Sequence, residues 1–341
     1  MSARRHSSLW RTQNFLARPA VIDPVIDASG IGAGDLVIDI GAGLGAITRH
    51  LSATGARVLA IERDPRLCAG LRERFAGGPR VTVICGDFLD VRLPRRPYKV
   101  FASPPFDVIT SIVTKLTEAA TPPDDVFLAM QREAADRYRG WPAETLYALL
   151  LQPWFVASIV HRFSRNDFTP RPGVDVVMLR LRKRGPPLVA LSERQLYRDF
   201  VVACFTAWQP SIGDALARIF ASRVAQRLLA QVDLDPRLRP TTVRFASWLE
   251  LFRAVAQLPL GARSRLDGAE RRLRAQQAHL QKRHRTRAPR DDPPRDAEIH
   301  GHRRPSRSRS NAAGDGRVSS HARMIAAAPA EGIAEVSTSV S

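Results

Sequence analysis

A glycine-rich turn directly after a short apolar run is the feature that most restricts the fold of this 341-residue chain. Residues 35–40 (DLVIDI) have the length and character of a buried strand, and residues 41–45 (GAGLG) follow at once. Glycine lets the backbone turn sharply and approach a ligand closely before a helix begins. The unit predicts a nucleotide-like ligand at this turn, and a tight turn without a ligand is the alternative.

Strand and helix signals alternate around this turn. Further strands are predicted over 57–61, 81–84, 99–102 and 126–130, and helices to about 53, from Pro65 to 75 and over 108–119. This rhythm is typical of a parallel sheet covered by helices. Two longer strands, 154–163 and 174–183, have no helix between them and predict an antiparallel pair at the sheet edge. We therefore expect an α/β, Rossmann-like fold.

Composition divides the chain into four segments. An arm with a short helix occupies 1–34, the α/β domain 35–184, a small helical domain 185–260 and a tail 261–341. The helical domain begins after the break 185–187 (GPP), and its helices are predicted over 192–208, from a variant capping box at 211–214 to about 232, and over 243–257. The tail is rich in Arg, His, Pro and Ser, so we expect it to be disordered.

The charge of the chain indicates a polyanionic partner. The formal net charge is +19 and the isoelectric point about 11.3, which favours nucleic acid first and an anionic membrane surface second. No apolar run approaches the roughly 20 residues of a membrane span, and no signal-peptide core is present. The cysteines are Cys68, Cys85 and Cys204, which are not spaced as metal ligands or as a disulfide scaffold. We expect a reduced, cytoplasmic protein without metal or membrane partners.

Two carboxylates follow the second and third strands. Glu62 lies 21 positions after Gly41, where a carboxylate can accept hydrogen bonds from both ribose hydroxyls of an adenosine. Asp87, in 85–88 (CGDF), can accept from the adenine amino group, although a helix N-cap or loop carboxylate is the alternative. The glycine turn also satisfies the dinucleotide fingerprint, so this pair alone leaves the cofactor open.

The segment 101–106 (FASPPF) ends the fourth strand and helps to identify the cofactor and the reaction. Its pattern, a short polar residue followed by x-Pro-aromatic, resembles the catalytic loop of amino-methyltransferases. An aryl amine is a poor nucleophile because its lone pair is delocalised into the ring. The Ser103 side chain and the Pro104 carbonyl can hold the two amino hydrogens and stabilise the positive charge that develops on nitrogen. Phe106 can stack on an extruded base, and a proline-rich strand exit with a core Phe is the alternative.

Three further segments complete a resemblance to a known family. They are 13–16 (QNFL), 107–116 (DVITSIVTKL) and 166–175 (NDFTPRPGVD). With the glycine turn, Glu62 and Asp87, they make the chain resemble the ribosomal RNA adenine dimethyltransferases over about residues 11–260. Within this family the chain is most similar to the erythromycin-resistance methyltransferases.

The resemblance implies a class I methyltransferase that uses S-adenosylmethionine. It implies an adenine of 23S rRNA as substrate, resistance to macrolides, lincosamides and streptogramin B, an RNA-binding role for the helical domain, and a monomer. The cofactor contacts would be Asn14, Leu16, Gly41, Glu62, Asp87 and Ser103. Phe106 and Phe168 would hold the target base, although a core aromatic in a hairpin loop is nearly as good an interpretation of Phe168.

One departure from the family concerns the catalytic loop. The family has Asn and then Ile or Leu where this chain has Ser103 and Pro104. Serine is shorter, and the following proline restricts it to extended conformations, so we expect slow transfer or poor addition of a second methyl group.

Three other functions remain open at this point. They are the housekeeping dimethylase of small-subunit rRNA, a non-catalytic nucleic-acid-binding relative and, more distantly, a nicotinamide oxidoreductase. The short helical region and the segment IVTKL favour the resistance type, and the intact cofactor motifs disfavour a binding module.

Overall fold

The computed structural model describes residues 15–16, 18–207 and 209–286. The strands are β1 Phe15–Leu16, β2 Leu36–Ile40, β3 Arg57–Glu62, β4 Val81–Cys85, β5 Lys99–Ala102, β6 Asp125–Gln131, β7 Phe155–Arg162, β8 Phe168–Thr169 and β9 Val176–Lys183. The helices are α1 Pro19–Ser29, α2 Ala46–Ala53, α3 Pro65–Arg74, α4 Ile109–Glu118, α5 Arg132–Arg139, α6 Leu146–Leu151, α7 Arg194–Phe205, α8 Ile212–Ile219, α9 Ser222–Gln231, α10 Phe245–Ala256, α11 Leu260–Arg263 and α12 Ala269–Thr286.

Seven strands form one sheet in the order β4-β3-β2-β5-β6-β9-β7. The first five are parallel, whereas β9 runs antiparallel to β6 and β7 antiparallel to β9. This confirms the predicted α/β class and the antiparallel pair at the edge. Strand β2 sits near the middle of the sheet, so the turn that follows it opens between β3 and β5 at the carboxyl edge.

The centre of the sheet is buried on both faces, as its apolar strands require. All five residues of β2 are buried. Leu36, Ile38 and Ile40 join a hydrophobic cluster on one face, and Val37 joins a second cluster on the other. Alternate side chains of β2 therefore pack against opposite faces of the sheet. This packing fixes the position of the carboxyl end of β2, which carries the glycine turn.

The helical region after the sheet differs in one detail from the sequence-based expectation. The helix expected from the box at Ser211 to about 232 is two helices, α8 and α9. The serine hydroxyl does accept from the Asp214 amide at 3.1 Å. Phe220 and Ala221 then adopt extended backbone, with ψ of 163° and 142°, and divide the segment. The apolar pattern of the sequence continues across this break, so the sequence alone predicted one helix.

The folded region extends beyond the boundary expected at residue 261. Helices α11 and α12 continue to Thr286, and Leu266 and Ala269 are buried. The expected disordered tail is therefore corrected for residues 261–286; the rest of it lies outside the described residues. The scarcity of large apolar residues predicted disorder here, but α12 docks largely through charged side chains.

The cysteines also differ from the expectation of three reduced residues. Cys68 on α3 and Cys85 at the end of β4 are joined by a disulfide, with 5.7 Å between their Cα atoms. Helix α3 packs beside β4, which brings two cysteines 17 positions apart together. Cys204 is free, and burial raises the pKa of its thiol. Among the described residues, no helix combines the length and apolar character that crossing a bilayer requires.

Candidate active site

A cavity of about 90 Å³ opens at the carboxyl edge of β2, β3, β4 and β5. Gly41, Glu62, Asp87 and Pro104, all expected from the sequence, line this cavity together. Its remaining lining residues are Ile40, Ile61, Arg63, Gly86, Phe88, Leu89, Pro105, Asp107, Val108 and Ile112. Four strand ends thus converge on a single site, where ligands of open parallel sheets bind.

The glycine turn is shaped by positive backbone angles and by close neighbours. Gly41 has φ of 75°, and a Cβ built on it would lie 3.8 Å from the Cα of Pro104. Gly45 has φ of 80°, and a Cβ there would lie 2.8 Å from the Leu71 side chain. The Gly41 amide donates to the Ile61 carbonyl at 2.8 Å. The turn is therefore tied to β3 while facing the catalytic loop, with space for a ligand to approach the backbone.

Glu62 braces this turn from the end of β3. Its carboxylate is buried, with Oε2 accepting from the Gly43 amide at 2.9 Å and Oε1 from the Asp64 amide at 2.8 Å. Each carboxylate oxygen has a second lone pair. Because Glu62 also lines the cavity, it fits the two ribose hydroxyls of S-adenosylmethionine.

Asp87 lies across the cavity in the loop after β4. Its Oδ1 accepts from the Leu89 amide at 2.9 Å, and its Oδ2 lies 3.6 Å from the guanidinium of Arg63. The carboxylate is thus oriented beside apolar walls formed by Phe88 and Leu89. This arrangement fits an adenine whose amino group donates to Asp87.

Lys115 of α4 holds the loop that carries Phe88 and Leu89. Its ammonium group donates to the carbonyls of Phe88, Leu89 and Val91 at 2.8, 2.6 and 2.6 Å. It also lies 5.0 Å from the centre of the Phe88 ring, and burial lowers the pKa of the amine. The sequence had marked this residue within the segment 107–116 but had not assigned it a task.

The catalytic loop follows β5. Ser103 is half-buried and Pro104 is buried. Within the described part of the chain, neither the Ser103 hydroxyl nor the Pro104 carbonyl has a hydrogen-bond partner. Phe106 is half-buried and packs against both hydrophobic clusters. Pro104 lines the cavity, whereas Ser103 and Phe106 are not among its lining residues. The roles of Ser103 and Phe106 at the target base therefore stay predictions from the resemblance.

Phe168, which the resemblance assigns to the target base, lies in the hydrophobic core of this structure. Its side chain is only 3% exposed and packs edge-on against Phe163, with ring centres 5.3 Å apart. Strand β8 pairs with β1, so that Phe168 faces Leu16 across a two-strand ladder. In this structure Phe168 is a core aromatic, the alternative named above, because the ladder buries it.

The N-terminal cofactor motif is only partly described. Leu16 is buried in the same cluster as Phe168 and is not among the cavity-lining residues. Asn14 lies outside the described residues. The placement of this motif at the cofactor therefore stays a prediction from the resemblance.

Asp39 is a buried carboxylate that the sequence reasoning had not singled out. It is 1% exposed and accepts from the Thr48 hydroxyl at 2.6 Å, while its Oδ1 has no partner among the described residues. Burial raises its pKa to about 7, and the nearby charge of Glu62 acts in the same direction. Its position within the apolar run 35–40, directly before the glycine turn, was the available signal.

Comparisons with known proteins place the chain in one family. Residues 6–257 match the ribosomal RNA adenine dimethylase family. An rRNA adenine N-6-methyltransferase of Corynebacterium diphtheriae is 34% identical and aligns with 64% of this chain and 85% of its own length. The ribosomal RNA small subunit methyltransferase A of Moorella thermoacetica is 31% identical over 72% of this chain and 91% of its own.

A solved structure gives the same assignment. The crystal structure of the 23S rRNA methyltransferase ErmE is 28% identical, covers 72% of this chain and 100% of its own, and superposes with a TM-score of 0.65. The chain belongs to the ribosomal RNA adenine dimethylase family, whose members are S-adenosylmethionine-dependent enzymes that methylate rRNA.

Proposed function

We propose that this enzyme methylates the exocyclic amino group of an adenine in 23S rRNA and thereby confers resistance to macrolides, lincosamides and streptogramin B. The observation that carries this choice is the likeness to the 23S rRNA methyltransferase ErmE over the whole length of that chain. The proposal places the enzyme in the cytoplasm, acting on its RNA as a monomer.

The site residues divide the reaction into two tasks. Glu62 and Asp87 hold the adenosine end of S-adenosylmethionine, which supplies an electrophilic methyl group. The Ser103 hydroxyl and the Pro104 carbonyl accept the two amino hydrogens of the target adenine. They turn the nitrogen lone pair toward the methyl group and stabilise the positive charge that forms on nitrogen. Phe106 stacks on the extruded base and keeps it in plane.

The second candidate is methylation of small-subunit rRNA. It is favoured by relatives named ribosomal RNA small subunit methyltransferase A, which align over nearly their whole length. The same loop and the same acceptors serve either substrate, so the chemistry of the site does not separate the two. The separation depends on which RNA fold the protein surface accepts.

Mass spectrometry of nuclease fragments of rRNA from a macrolide-sensitive bacterium expressing the full chain tests this proposal, because it detects monomethyl and dimethyl adenine alike. We expect one newly methylated adenine in 23S rRNA, no new modification in 16S rRNA, and growth on erythromycin. Glu62→Ala serves as the matched control, because it removes a cofactor ligand and should abolish both signals. Dimethylation confined to 16S rRNA would replace the proposal with the second candidate.

A further inference from the structure

Helix α12 lies beyond the part of the chain that matches the family. The family match ends at residue 257, and α12 spans Ala269–Thr286. Its sequence AERRLRAQQAHLQKRHRT has six Lys or Arg residues and one acidic residue, a net charge of +5. The methyltransferase fold does not explain why so basic a helix is attached to it.

The start of α12 is held by neighbouring charged residues of α7. The Glu270 amide donates to Asp199 Oδ1 at 2.8 Å, and the Gly268 amide donates to Asp199 Oδ2 at 3.3 Å. The Arg198 guanidinium pairs with Glu270 at 2.5 Å, and both side chains are at least nine-tenths buried. Asp199 thus satisfies amides at the helix start, and Arg198 fixes its first turn.

A second carboxylate ties the same network to the α/β domain. Glu118 at the end of α4 accepts from Arg198 at 2.7 Å and from Arg274 at 2.5 Å. Replacing a buried ion pair with apolar side chains often leaves stability unchanged or improves it. A charged network at this position is therefore better explained by a need to fix the direction of α12 than by stability alone.

The helix presents other arginines to solvent. Arg271 and Arg272 are exposed, whereas Leu273 is half-buried and faces the groove beside α4. An open cleft between the starts of α7 and α12 is lined by four arginines, Arg194 and Arg271 among them, and by the three carboxylates of the network described above. Guanidinium groups bind phosphate oxygens in a bidentate manner. The exposed side of α12 is thus suited to bind the sugar-phosphate backbone of a nucleic acid.

We propose that α12 is a phosphate-binding element that holds the backbone of the rRNA substrate outside the catalytic cavity. The proposal rests on the rRNA substrate proposed above, but not on which adenine is methylated. An anionic membrane fits less well, because an interfacial helix needs a face of large apolar side chains. The sequence of α12 has only Leu273 and Leu280 of that kind, and Leu273 faces the protein.

Charge reversal on the exposed arginines tests the proposal in the full chain. The probe is a fluorescein-labelled 23S rRNA transcript, and the variant is Arg271→Glu with Arg272→Glu. We expect at least tenfold weaker binding at 0.1 M KCl and a salt-dependence slope reduced by about one for each phosphate group that the variant no longer binds. Arg271→Lys with Arg272→Lys should retain the slope, since the charge is kept.

The matched control reverses two adjacent exposed arginines outside the helical domain, Arg95→Glu with Arg96→Glu in the loop before β5. We expect less than a threefold effect from this pair. Equally weakened binding in both variants would mean that net charge alone sets affinity and would overturn the proposal. Unchanged affinity of the α12 variant would do the same. Melting temperatures are compared first, and Arg271→Ala with Arg272→Ala replaces the reversal if the reversal impairs folding.

Two further measurements separate this inference from the proposed function. Methyl transfer by the unaltered chain to 23S and 16S transcripts tests the substrate, and the α12 comparison can be made with whichever RNA is methylated. Binding to vesicles of phosphatidylcholine and phosphatidylglycerol tests whether α12 binds an anionic membrane instead of RNA. If the α12 variant no longer bound vesicles but kept its RNA affinity, the helix would serve a membrane and the proposal would fail.

Discussion

Glu62 Oε2 accepts a hydrogen bond from the Gly43 amide at 2.9 Å, so one carboxylate both shapes the glycine turn and faces the cavity that the turn encloses. A residue with two such tasks affects binding in two ways when it is replaced. Removing the carboxylate deletes its charge-assisted hydrogen bonds to the ribose, and it also lets the turn relax.

Glu62→Ala should therefore weaken S-adenosylmethionine binding by about 1.5–3 kcal/mol, the value of hydrogen bonds to a charged group. Isothermal titration calorimetry measures the change. Glu62→Gln retains the side-chain shape but turns an NH₂ group toward one of the two donor amides, so it should bind with intermediate affinity. Unchanged affinity in the alanine variant would remove Glu62 from the cofactor site.

Phe106→Ala should reduce methyl transfer while leaving cofactor affinity nearly intact, because base stacking is worth about 1–3 kcal/mol. Since Phe106 also packs against both hydrophobic clusters, Phe106→Leu is the matched control that retains apolar volume without an aromatic face. Single-turnover rates at saturating cofactor decide the question. Equal rates in the leucine variant and the natural protein would assign Phe106 to packing alone.

Ser103→Asn should raise the fraction of dimethyladenosine in the product. Asparagine carries a longer acceptor, and loss of a well-placed acceptor in such sites costs about 10²–10³ in rate. We expect the natural protein to be slow and to produce mainly the monomethyl product. Mass spectrometry of the modified RNA fragment measures both forms. Full dimethylation at the same single-turnover rate in both proteins would show that serine suffices.

Asp39 should make the protein less stable as the pH rises toward 7. Burial raises the pKa of Asp39 from 3.8 to about 7, so the folded state keeps a proton that the unfolded state has lost. Stability is then complete below about pH 4 and falls up to about pH 7, by about 1.4 kcal/mol for each pH unit and about 4 kcal/mol at most. Urea unfolding of the protein and of Asp39→Asn, which keeps the acceptor for Thr48, should give a flatter curve for the variant. Parallel curves would contradict this account.

Removing one partner of the Arg198–Glu270 pair should be costly. Glu270→Ala leaves the buried Arg198 guanidinium with Glu118 as its remaining carboxylate partner, so the cost should be at most the roughly 3–5 kcal/mol of a fully unpaired charge, whereas the double variant Arg198→Met with Glu270→Leu should cost less. Chemical denaturation of both variants provides the comparison. Burial alone would raise the pKa of Glu270, but hydrogen bonds and charge from Arg198 and Arg274 lower it to about 2. The stability from this carboxylate is therefore present above about pH 4.5 and lost as the pH falls toward 2. Equal destabilisation of the single and double variants would contradict a cost due to the unpaired charge.

Local patterns in the sequence predicted the parts of the fold that depend on neighbours along the chain. The apolar run of β2, the glycine turn and the polar residues at strand ends can each be identified within a few positions. Glu62, Asp87 and Pro104 could be assigned to a single edge because parallel strands end there together. The same reasoning did not predict that Lys115 holds the loop after β4, because its hydrogen bonds join segments more than 20 positions apart.

Long-range pairing accounts for the features that local patterns in the sequence did not decide. Phe168 is buried because β8 meets β1, about 150 positions earlier, and no motif spacing reveals that ladder. Cys68 and Cys85 meet only after α3 has packed beside β4. The composition of α12 suggested a disordered tail, because its docking depends more on Arg198 and Glu118 than on apolar residues of its own.

The position of β2 between β3 and β5 has a consequence for how such enzymes can diverge. Glu62 and Asp87 lie on one flank of this strand and Ser103 on the other, and the flanks meet where Gly41 approaches Pro104. Pro104 and Pro105 line the same cavity as Glu62 and Asp87, so a substitution in the loop 103–106 also reaches the flank that would carry the methyl donor. We expect the loop and the donor flank to diverge together, and the Ser-Pro pair of this chain lies at their shared boundary.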